Sequence, residues 1–419
     1  MGNGNRDEAT MTSVCCYFQV HQPYRLRRFS IFDIGAGVSY VDDVKNQEVM
    51  QKVAAKSYLP ANRLLLDLIR KYKGRFKVAF SITGTALEQF EQYAPEVLDS
   101  FKKLACTGSV EFLGETYYHS LSYLFDRNEF KDQVDMHHDA MFHYFGVMPR
   151  VFRNTELIYS NELAFHVQNM GYSAILAEGA DQVLQGRSPN LVYTSKLGSK
   201  IRVLLKNYKL SDDIAFRFSD KNWVEYPLTA GKFASWINMQ SGDSVNLFMD
   251  YETFGEHQWE ETGIFEFLKV LPGELFKKGI RFLNPSDLAM SSLSGGAIDV
   301  HNPISWADVE RDTSAWLGNQ MQQTAIALLY SIKDDVINSG DEILIRDWRR
   351  LTTSDHFYYM CTKWFADGDV HKYFNPYDSP YEAYIAFMNV LEDMKLRVQQ
   401  MKKDGAHFKI SFPTSLERV

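Results

Sequence analysis

The chain has 419 residues, of which 45% are hydrophobic and 23% are charged, so it can bury a large core and is not a disordered protein. Its 45 basic and 53 acidic side chains leave a formal net charge of -8, which argues against binding to a nucleic-acid backbone. It contains only four cysteines, and no apolar run approaches the ~18 residues that cross a membrane, so the composition predicts a cytoplasmic protein without disulfides or a membrane anchor.

Short apolar segments alternate with helical ones from Ser13 to about Ala289, after a polar tail at residues 1–12. Their length and nearly continuous hydrophobicity are typical of parallel strands covered on both faces. Strands alternating with helices predict right-handed crossovers, and their number favours closure into a barrel over one small open sheet. The predicted strands are Ser13–Val20, Phe76–Ile82, Val110–Leu113, Val151–Arg153, Ala174–Ala177, Ile201–Leu205, Val245–Met249 and Ile280–Leu283.

Helical periodicity fills the gaps between these strands at Pro60–Tyr72, Asn128–Phe145 and Asn161–Met170. Small and polar residues from Ser291 to Gly296 predict a linker. Beyond it, the amphipathic segments Trp306–Lys333 and Tyr381–Lys402 predict long helices. We therefore expect an α/β barrel over residues 13–292 and a C-terminal α-helical bundle over residues 293–419.

Polar and ionisable side chains directly follow several of the predicted strands. Because the carboxyl ends of the strands in a parallel barrel share one face, these side chains should meet there. Neighbouring buried carboxylates differ in proton affinity, and such a pair can flank a sugar bond as acid and nucleophile. The pattern therefore favours glycoside hydrolysis. The residues that carry it are His21, Gln22, Glu115, Tyr118, His119, Glu156, Asp250 and Glu252.

At these residues the chain resembles glycoside hydrolase family 57, a family of α-amylases, 4-α-glucanotransferases and branching enzymes. His21-Gln22-Pro23 is similar to the opening motif of the family, and Gly114-Glu115 to its second region. The segment that ends in Glu156 resembles the third region, and Asp250 to Gly255 the fourth. Two segments, Ile304 to Asp312 and Thr353 to Tyr358, are both candidates for the last region.

The resemblance implies an incomplete parallel (β/α)7 barrel and a retaining mechanism with Glu156 as nucleophile and Asp250 as general acid/base. It implies α-1,4-glucans such as starch, glycogen or maltodextrin as substrates, and neither a metal nor another cofactor is expected. An α-amylase is favoured over a 4-α-glucanotransferase or branching enzyme because the chain is compact. The expected substrate contacts are His21, Gln22, Glu115, Tyr118, His119, Glu252, Trp259, Trp306, Asp308, Trp316, Asp355 and His356.

Two other classes of protein remain as alternatives. A metal-dependent polysaccharide deacetylase would also place Asp and His on a barrel rim, but His138 and His143 are five residues apart within one predicted helix, which disfavours a shared ligand face. A non-catalytic glucan-binding or regulatory protein could keep the fold, although both proposed catalytic carboxylates are present. Nucleotide loops and serine-hydrolase elbows are disfavoured, because Gly35-Ala36-Gly37 lacks the remaining loop residues and no Gly-x-Ser-x-Gly motif occurs.

Overall fold

The computed structural model describes residues 13–198, 200–290, 295–363 and 375–410. The predicted polar tail at residues 1–12 and residues 291–294 of the predicted linker lie outside the described residues. Within these ranges the chain folds as an α/β protein with largely parallel sheets, which confirms the predicted class.

Two five-stranded sheets form the centre of the described structure. Their strands are β1 (Ser13–Val20), β2 (Val78–Ile82), β3 (Val110–Phe112), β4 (Val151–Arg153), β5 (Ala174–Glu178), β6 (Tyr193–Ser195), β7 (Arg202–Lys206), β8 (Ser244–Asp250), β9 (Arg281–Phe282) and β10 (Ala297–Ile298). One sheet has the order β3-β2-β1-β8 with β9 also paired to β1, and the other has the order β10-β6-β7-β5-β4. Every pairing within them is parallel except that of β6 with β7.

All eight predicted strands are present, and β6 and β10 are additional. The additional strand β6 is antiparallel to β7, so the second sheet is mixed and not wholly parallel. Each additional strand has three residues or fewer, too short to display a hydrophobic period.

Contacts join the two sheets at two places. A parallel bridge connects Gly114, just after β3, to Phe152 on β4. On the other side, the backbone N–H of Asn207 donates to the carbonyl of Asn246 at 2.9 Å, and the Asn246 amide donates to the carbonyl of Leu205 at 2.9 Å. Strand β3 therefore lies beside β4, and β7 lies beside β8.

Helices cover the sheets and make up most of the chain after residue 313. No helix among the described residues combines the length and apolarity that crossing a membrane requires. The helices are α1 (Asp43–Val53), α2 (Leu59–Lys71), α3 (Gly84–Tyr93), α4 (Pro95–Ala105), α5 (Ser122–Phe125), α6 (Arg127–Phe145), α7 (Asn161–Asn169), α8 (Asp181–Leu184), α9 (Tyr208–Ala215), α10 (Ala230–Asn238), α11 (Ile264–Lys277), α12 (Pro285–Ala289), α13 (Ser314–Leu317), α14 (Gln320–Ser331), α15 (Lys333–Ser339), α16 (Glu342–Leu351), α17 (Ser354–Tyr358) and α18 (Pro380–Ile410).

The three helices predicted between strands are confirmed as α2, α6 and α7, and the predicted C-terminal helix is confirmed as α18. The predicted helix Trp306–Lys333 is wrong in its first part, which forms a loop before α13 and α14. Asp308 and Arg311 in this loop have φ angles of 54° and 53°, a left-handed conformation that cannot continue a right-handed helix. The Ser305 N–H instead donates to the Arg311 carbonyl and closes the loop.

Helices α13 to α18 pack around a hydrophobic cluster that includes Trp316, Trp348 and Phe387. Leu26 and Phe29, from the segment after β1, join the same cluster. The helical region is therefore packed directly against the chain that leaves the carboxyl end of β1, where the first polar motif lies.

Candidate active site

A cleft lies at the carboxyl ends of β1, β7 and β8 and includes the turn after β4. Both candidate C-terminal segments reach it, one through Trp306 and Asp308 and the other through Asp355. The two segments are therefore not alternatives in space. The sequence-predicted residues that line the cleft are His21, Gln22, His119, Glu156, Asp250, Glu252, Trp306, Asp308 and Asp355.

The carboxylate of Glu156 accepts hydrogen bonds from three side chains. Its Oε1 atom lies 3.2 Å from His119 Nε2 and 3.2 Å from Ser354 Oγ, and its Oε2 atom accepts from Trp306 Nε1 at 2.7 Å. The Glu156 backbone is left-handed, with φ at 56°, in the turn that directly follows β4. Three donors hold this buried carboxylate in one orientation and favour its ionised form.

His119 lies between two carboxylates. Its Nε2 atom faces Glu156, and its Nδ1 atom lies 3.4 Å from Glu115 Oε2. Burial acts to lower the pKa of His119, but the hydrogen bonds to Glu115 and Glu156 outweigh it and raise the pKa to about 9. His119 is therefore an imidazolium at neutral pH, and both of its ring N–H groups donate.

Glu115 lies behind His119 and is completely buried. Burial opposes its ionisation, but the hydrogen bond from His119 and the neighbouring His137 and Arg153 side chains hold its pKa below the ordinary value. The Arg153 guanidinium lies 3.9 Å from Glu115 Oε2. Glu115 thus stabilises the charge on His119 without itself lining the cleft.

The ring of His21 stacks on that of His119, with centroids 4.0 Å apart. Its Nε2 atom lies 3.0 Å from Asp355 Oδ2, and its Nδ1 atom lies 3.0 Å from the Thr83 hydroxyl. Burial, and then the charge on His119, lower the pKa of His21. A neutral imidazole and a carboxylate are consequently placed together at the cleft wall.

Among the described residues, one group has the spacing of a metal site: side-chain ligand atoms of His21, His119 and Asp355 all lie within 4.8 Å of one another. A metal ligand must offer a lone pair, however, and the two ring nitrogens of His119 face the carboxylates of Glu115 and Glu156 at 3.4 Å and 3.2 Å. The donor chemistry of this group therefore fits an ion-paired carboxylate network better than a metal site.

Asp250 and Glu252 face the cleft from the end of β8 and the turn that follows it. Glu252 Oε1 accepts hydrogen bonds from the Tyr58 hydroxyl and, at 3.1 Å, from Gln22 Nε2. Burial, and then the negative charge of Asp250, raise the pKa of Glu252 to about 8. Glu252 is therefore mainly protonated at neutral pH beside Asp250.

The indole of Trp306 is held from several directions. Its backbone N–H donates to the Glu156 carbonyl at 3.1 Å, in addition to the side-chain hydrogen bond to the same residue. The guanidinium of Arg153 lies 4.9 Å and the ammonium of Lys206 5.3 Å from the indole centroid. Trp306 is thus fixed against Glu156 by hydrogen bonds and cation–π contacts.

Arg311 fastens the loop that carries Trp306. Its Nη1 atom donates to the Trp306 carbonyl at 2.5 Å and lies 3.4 Å from Glu178 Oε2, while Nη2 lies 3.6 Å from Asp212 Oδ2. Lys206 lies 3.1 Å from Asp212 Oδ1 in the same network. These ion pairs connect the loop to the carboxyl ends of β5 and β7 and to α9.

Five residues predicted to contact substrate lie outside the cleft lining: Glu115, described above, and Tyr118, Trp259, Trp316 and His356. Trp316 is 1% exposed and packs in the core of the helical region, so its ring is not available to stack on a sugar as expected. Tyr118 and His356 are also buried, and burial lowers the pKa of His356 to about 4. Trp259 is exposed, but it lies under Lys56 and away from the lining.

The histidines on α6 do not converge as metal ligands. His137 is completely buried; its Nε2 atom donates to the Ile82 carbonyl at 2.9 Å, and its Nδ1 atom accepts from the Glu115 N–H at 3.4 Å. His137 therefore supports the backbone at Glu115. His138 lies beside Asp139; the Asp139 side chain is exposed, and that of His138 is partly buried.

Several lining residues were missed by the sequence reasoning. Lys206 ends β7 directly after the predicted strand Ile201–Leu205, so the strand-end signal that indicated Asp250 was also present there. Arg25 and His257 lie in the segments after β1 and β8, and Arg311 and Tyr358 lie within the two candidate C-terminal segments, but none of the four was given a role. Phe216 and Tyr359 have no comparable local signal.

Comparisons with known proteins show the family. The family model described as "Glycosyl hydrolase family 57" matches residues 15–300. A curated relative from Methanocaldococcus jannaschii, named "Putative alpha-amylase", is 45% identical over 399 residues, which cover 92% of this chain and 84% of the relative.

Two solved structures have the same fold at low sequence identity. A 4-α-glucanotransferase from Thermococcus litoralis superposes with a TM-score of 0.67 at 15% identity, over 92% of this chain and 60% of that one. A branching enzyme from Pyrococcus horikoshii superposes with a TM-score of 0.62 at 15% identity, over 93% of this chain and 88% of that one. The chain thus spans only part of the glucanotransferase but most of the branching enzyme.

Proposed function

The chain belongs to glycosyl hydrolase family 57, and we propose that it is a retaining hydrolase of α-1,4-glucans that acts as an α-amylase. The observation that carries this proposal is the arrangement of Glu156 and Asp250 in one cleft. Glu156 is held by His119, Ser354 and Trp306, whereas Asp250 enters from the end of β8.

In the proposed first step, a Glu156 carboxylate oxygen attacks the anomeric carbon while Asp250, in its acid form, protonates the glycosidic oxygen. The bond from the anomeric carbon to that oxygen breaks, the shortened glucan leaves, and a glycosyl ester remains on Glu156. In the second step, the Asp250 carboxylate takes a proton from water. The water oxygen attacks the anomeric carbon and releases Glu156.

The surrounding residues support these roles. The imidazolium of His119 and the donors from Ser354 and Trp306 favour ionised Glu156, which a nucleophile requires. Glu252, mainly protonated at neutral pH, lies beside Asp250 without adding a second full negative charge. The proposed sugar contacts are the lining residues His21, Gln22, His119, Glu252, Trp306, Asp308 and Asp355, with Glu115 acting through His119.

We further propose that the two sheets act as one incomplete (β/α)7 barrel over residues 13–292, with residues 293–419 as a helical domain that completes the cleft. The contacts of Gly114 with Phe152 and of Asn207 with Asn246 support continuity between the sheets. The position of Asp355 in the cleft lining supports a contribution from the helical domain.

The proposed function is tested by Glu156→Gln and Asp250→Asn with maltoheptaose as substrate. Each variant should abolish turnover with a nearly unchanged melting temperature, because both substitutions preserve side-chain volume. Glu162→Gln is the control, since Glu162 is exposed on α7 and forms a surface ion pair with Arg127. Activity retained in either cleft variant removes that residue from its proposed role.

The second candidate is a 4-α-glucanotransferase, favoured by the structural likeness to the Thermococcus litoralis protein of that name. Transfer uses the same glycosyl ester but resolves it with a sugar hydroxyl in place of water. If all products are shorter than maltoheptaose, the reaction is hydrolysis. If products longer than maltoheptaose form as well, the reaction includes transfer. Binding without any product would support a non-catalytic glucan-binding protein.

A further inference from the structure

An exposed phenyl ring stands at the edge of the cleft. Phe216, the residue directly after α9, lines the cleft but is 42% exposed. Exposed aromatic side chains forgo the favourable free energy of burial, and their flat apolar faces can pack against the C–H face of a sugar ring. Phe216 therefore has the chemistry of a sugar platform.

The other aromatic side chains in the lining are less available. Tyr358 and Tyr359 are 8% and 4% exposed and pack in the helical cluster. Trp306 is only partly exposed and is fixed against Glu156 by its N–H. Among the described residues of the lining, Phe216 is thus the aromatic side chain that offers the most free surface.

Phe216 is attached to the wall that carries Asp250. The Phe248 N–H, two residues before Asp250 on β8, donates to Ser211 Oγ on α9 at 3.2 Å. Gln258 Nε2, from the loop after β8, donates to the Ala215 carbonyl at 2.9 Å. These hydrogen bonds fix the end of α9, and hence Phe216, relative to Asp250.

Glu156 is surrounded by a different set of elements. Its carboxylate is held by His119 after β3, by Trp306 in the loop before α13 and by Ser354 on α17. A retaining enzyme brings its acid to the oxygen of the departing sugar, while the nucleophile reaches the anomeric carbon of the sugar that stays. With the proposed roles of Glu156 and Asp250, the wall shared by Asp250 and Phe216 is the one that would face the departing sugar.

We propose that Phe216 stacks on the sugar ring at the leaving-group side of the scissile bond, and on the acceptor sugar when transfer occurs. This inference rests on the proposed function. It identifies a residue that would determine how well an incoming sugar competes with water for the glycosyl ester on Glu156. Tighter binding of the acceptor sugar by the Phe216 ring favours transfer, and removal of the ring favours hydrolysis.

The test compares two substrates in Phe216→Ala. With maltotetraose, the leaving group is a sugar, and kcat/KM should fall about tenfold as the stacking contact is lost. With α-maltotriosyl fluoride, the leaving group is fluoride, which cannot stack, so the rate of fluoride release should stay within about twofold of wild type. The yield of transfer products with added maltose should fall, and Phe216→Tyr should restore both properties.

Phe165→Ala is a matched control, because Phe165 is 43% exposed on α7 and lies outside the cleft lining. This variant should change neither kcat/KM with maltotetraose nor the rate of fluoride release from α-maltotriosyl fluoride. Equal losses on maltotetraose and on the fluoride in Phe216→Ala would overturn the leaving-group assignment, as would unchanged kinetics on both.

A wild-type protein that releases no fluoride would contradict the proposed function, and a binding measurement then tests Phe216 separately. In a Glu156→Gln background, Phe216→Ala should weaken the binding of maltotetraose about tenfold by calorimetry. An unchanged Kd for maltotetraose would contradict stacking of Phe216 on a sugar, even if the protein is inactive.

Discussion

The Nε2 atom of His119 lies 3.2 Å from Oε1 of Glu156, so the proposed nucleophile shares a buried imidazolium with Glu115. The network joins the turn after β3 to the turn after β4. Its positive charge supports ionised Glu156 and makes the site sensitive to alkaline pH, because the cation titrates at a pKa of about 9.

The first prediction concerns the pH dependence of stability. The folded-state pKa of His119 lies above the unfolded value of about 6.5, so its contribution is present below that pH and is lost as the pH rises through about 9. Relative to His119→Gln, the wild-type free energy of unfolding should fall by about 2 kcal/mol across this window. Denaturant unfolding of both proteins at pH 6 and at pH 9.5 measures the difference. If the free energies of unfolding of wild type and His119→Gln change equally with pH, the imidazole of His119 is not charged as described.

The second prediction concerns Trp306. Replacement by Phe keeps an aromatic ring but removes the N–H donor to Glu156 Oε2. The pKa of the Glu156 carboxyl should then rise, so the acidic limb of the pH–rate profile should move to higher pH and kcat should fall about tenfold. Trp259→Phe, which alters an exposed ring outside the cleft lining, is the control; identical profiles for the two variants would contradict the positioning role.

The third prediction concerns Glu252, whose raised pKa of about 8 reflects burial and the charge of Asp250. Ionisation in the unfolded chain begins near pH 4.3, so this group costs the folded protein increasing stability between about pH 4.3 and 8. Glu252→Gln removes the titration but keeps an acceptor for Tyr58 and Gln22. The variant should gain at least about 1 kcal/mol relative to wild type between pH 5 and 8.5; no gain would mean that Glu252 is already ionised at pH 5.

The fourth prediction concerns metals. Because both ring nitrogens of His119 donate to carboxylates, dialysis against a strong chelator should leave maltoheptaose turnover unchanged. The same samples should show no activation by added zinc. Loss of activity that zinc restores would instead assign the group of His21, His119 and Asp355 to a metal.

The positions of ionisable residues directly after the predicted strands are informative, because the strand topology decides which side chains meet. His21, Glu156 and Asp250 lie in the cleft because parallel strands present their carboxyl ends on one side. Lys206 and Glu178 also stand at strand ends, and the same reasoning would have indicated both.

Other features depend on contacts that no local pattern records. The segment from Trp306 has helical periodicity, but ion pairs of Arg311 and left-handed backbone at Asp308 keep it a loop. Trp316 and Trp306 are both tryptophans near the predicted cleft, and only packing distinguishes the buried one from the one that contacts Glu156. The two candidate C-terminal segments were alternatives for one family region, because a motif search compares segments along the chain and not in space. In the structure, both segments reach the same cleft.

The covalent intermediate on Glu156 is tested most directly by incubating the protein with a 5-fluoro-maltosyl fluoride and analysing its peptides by mass spectrometry. The proposed mechanism predicts one adduct, on the peptide that contains Glu156, and none in Glu156→Gln. An adduct on another residue, or maltoheptaose products released with inverted anomeric configuration, would contradict it.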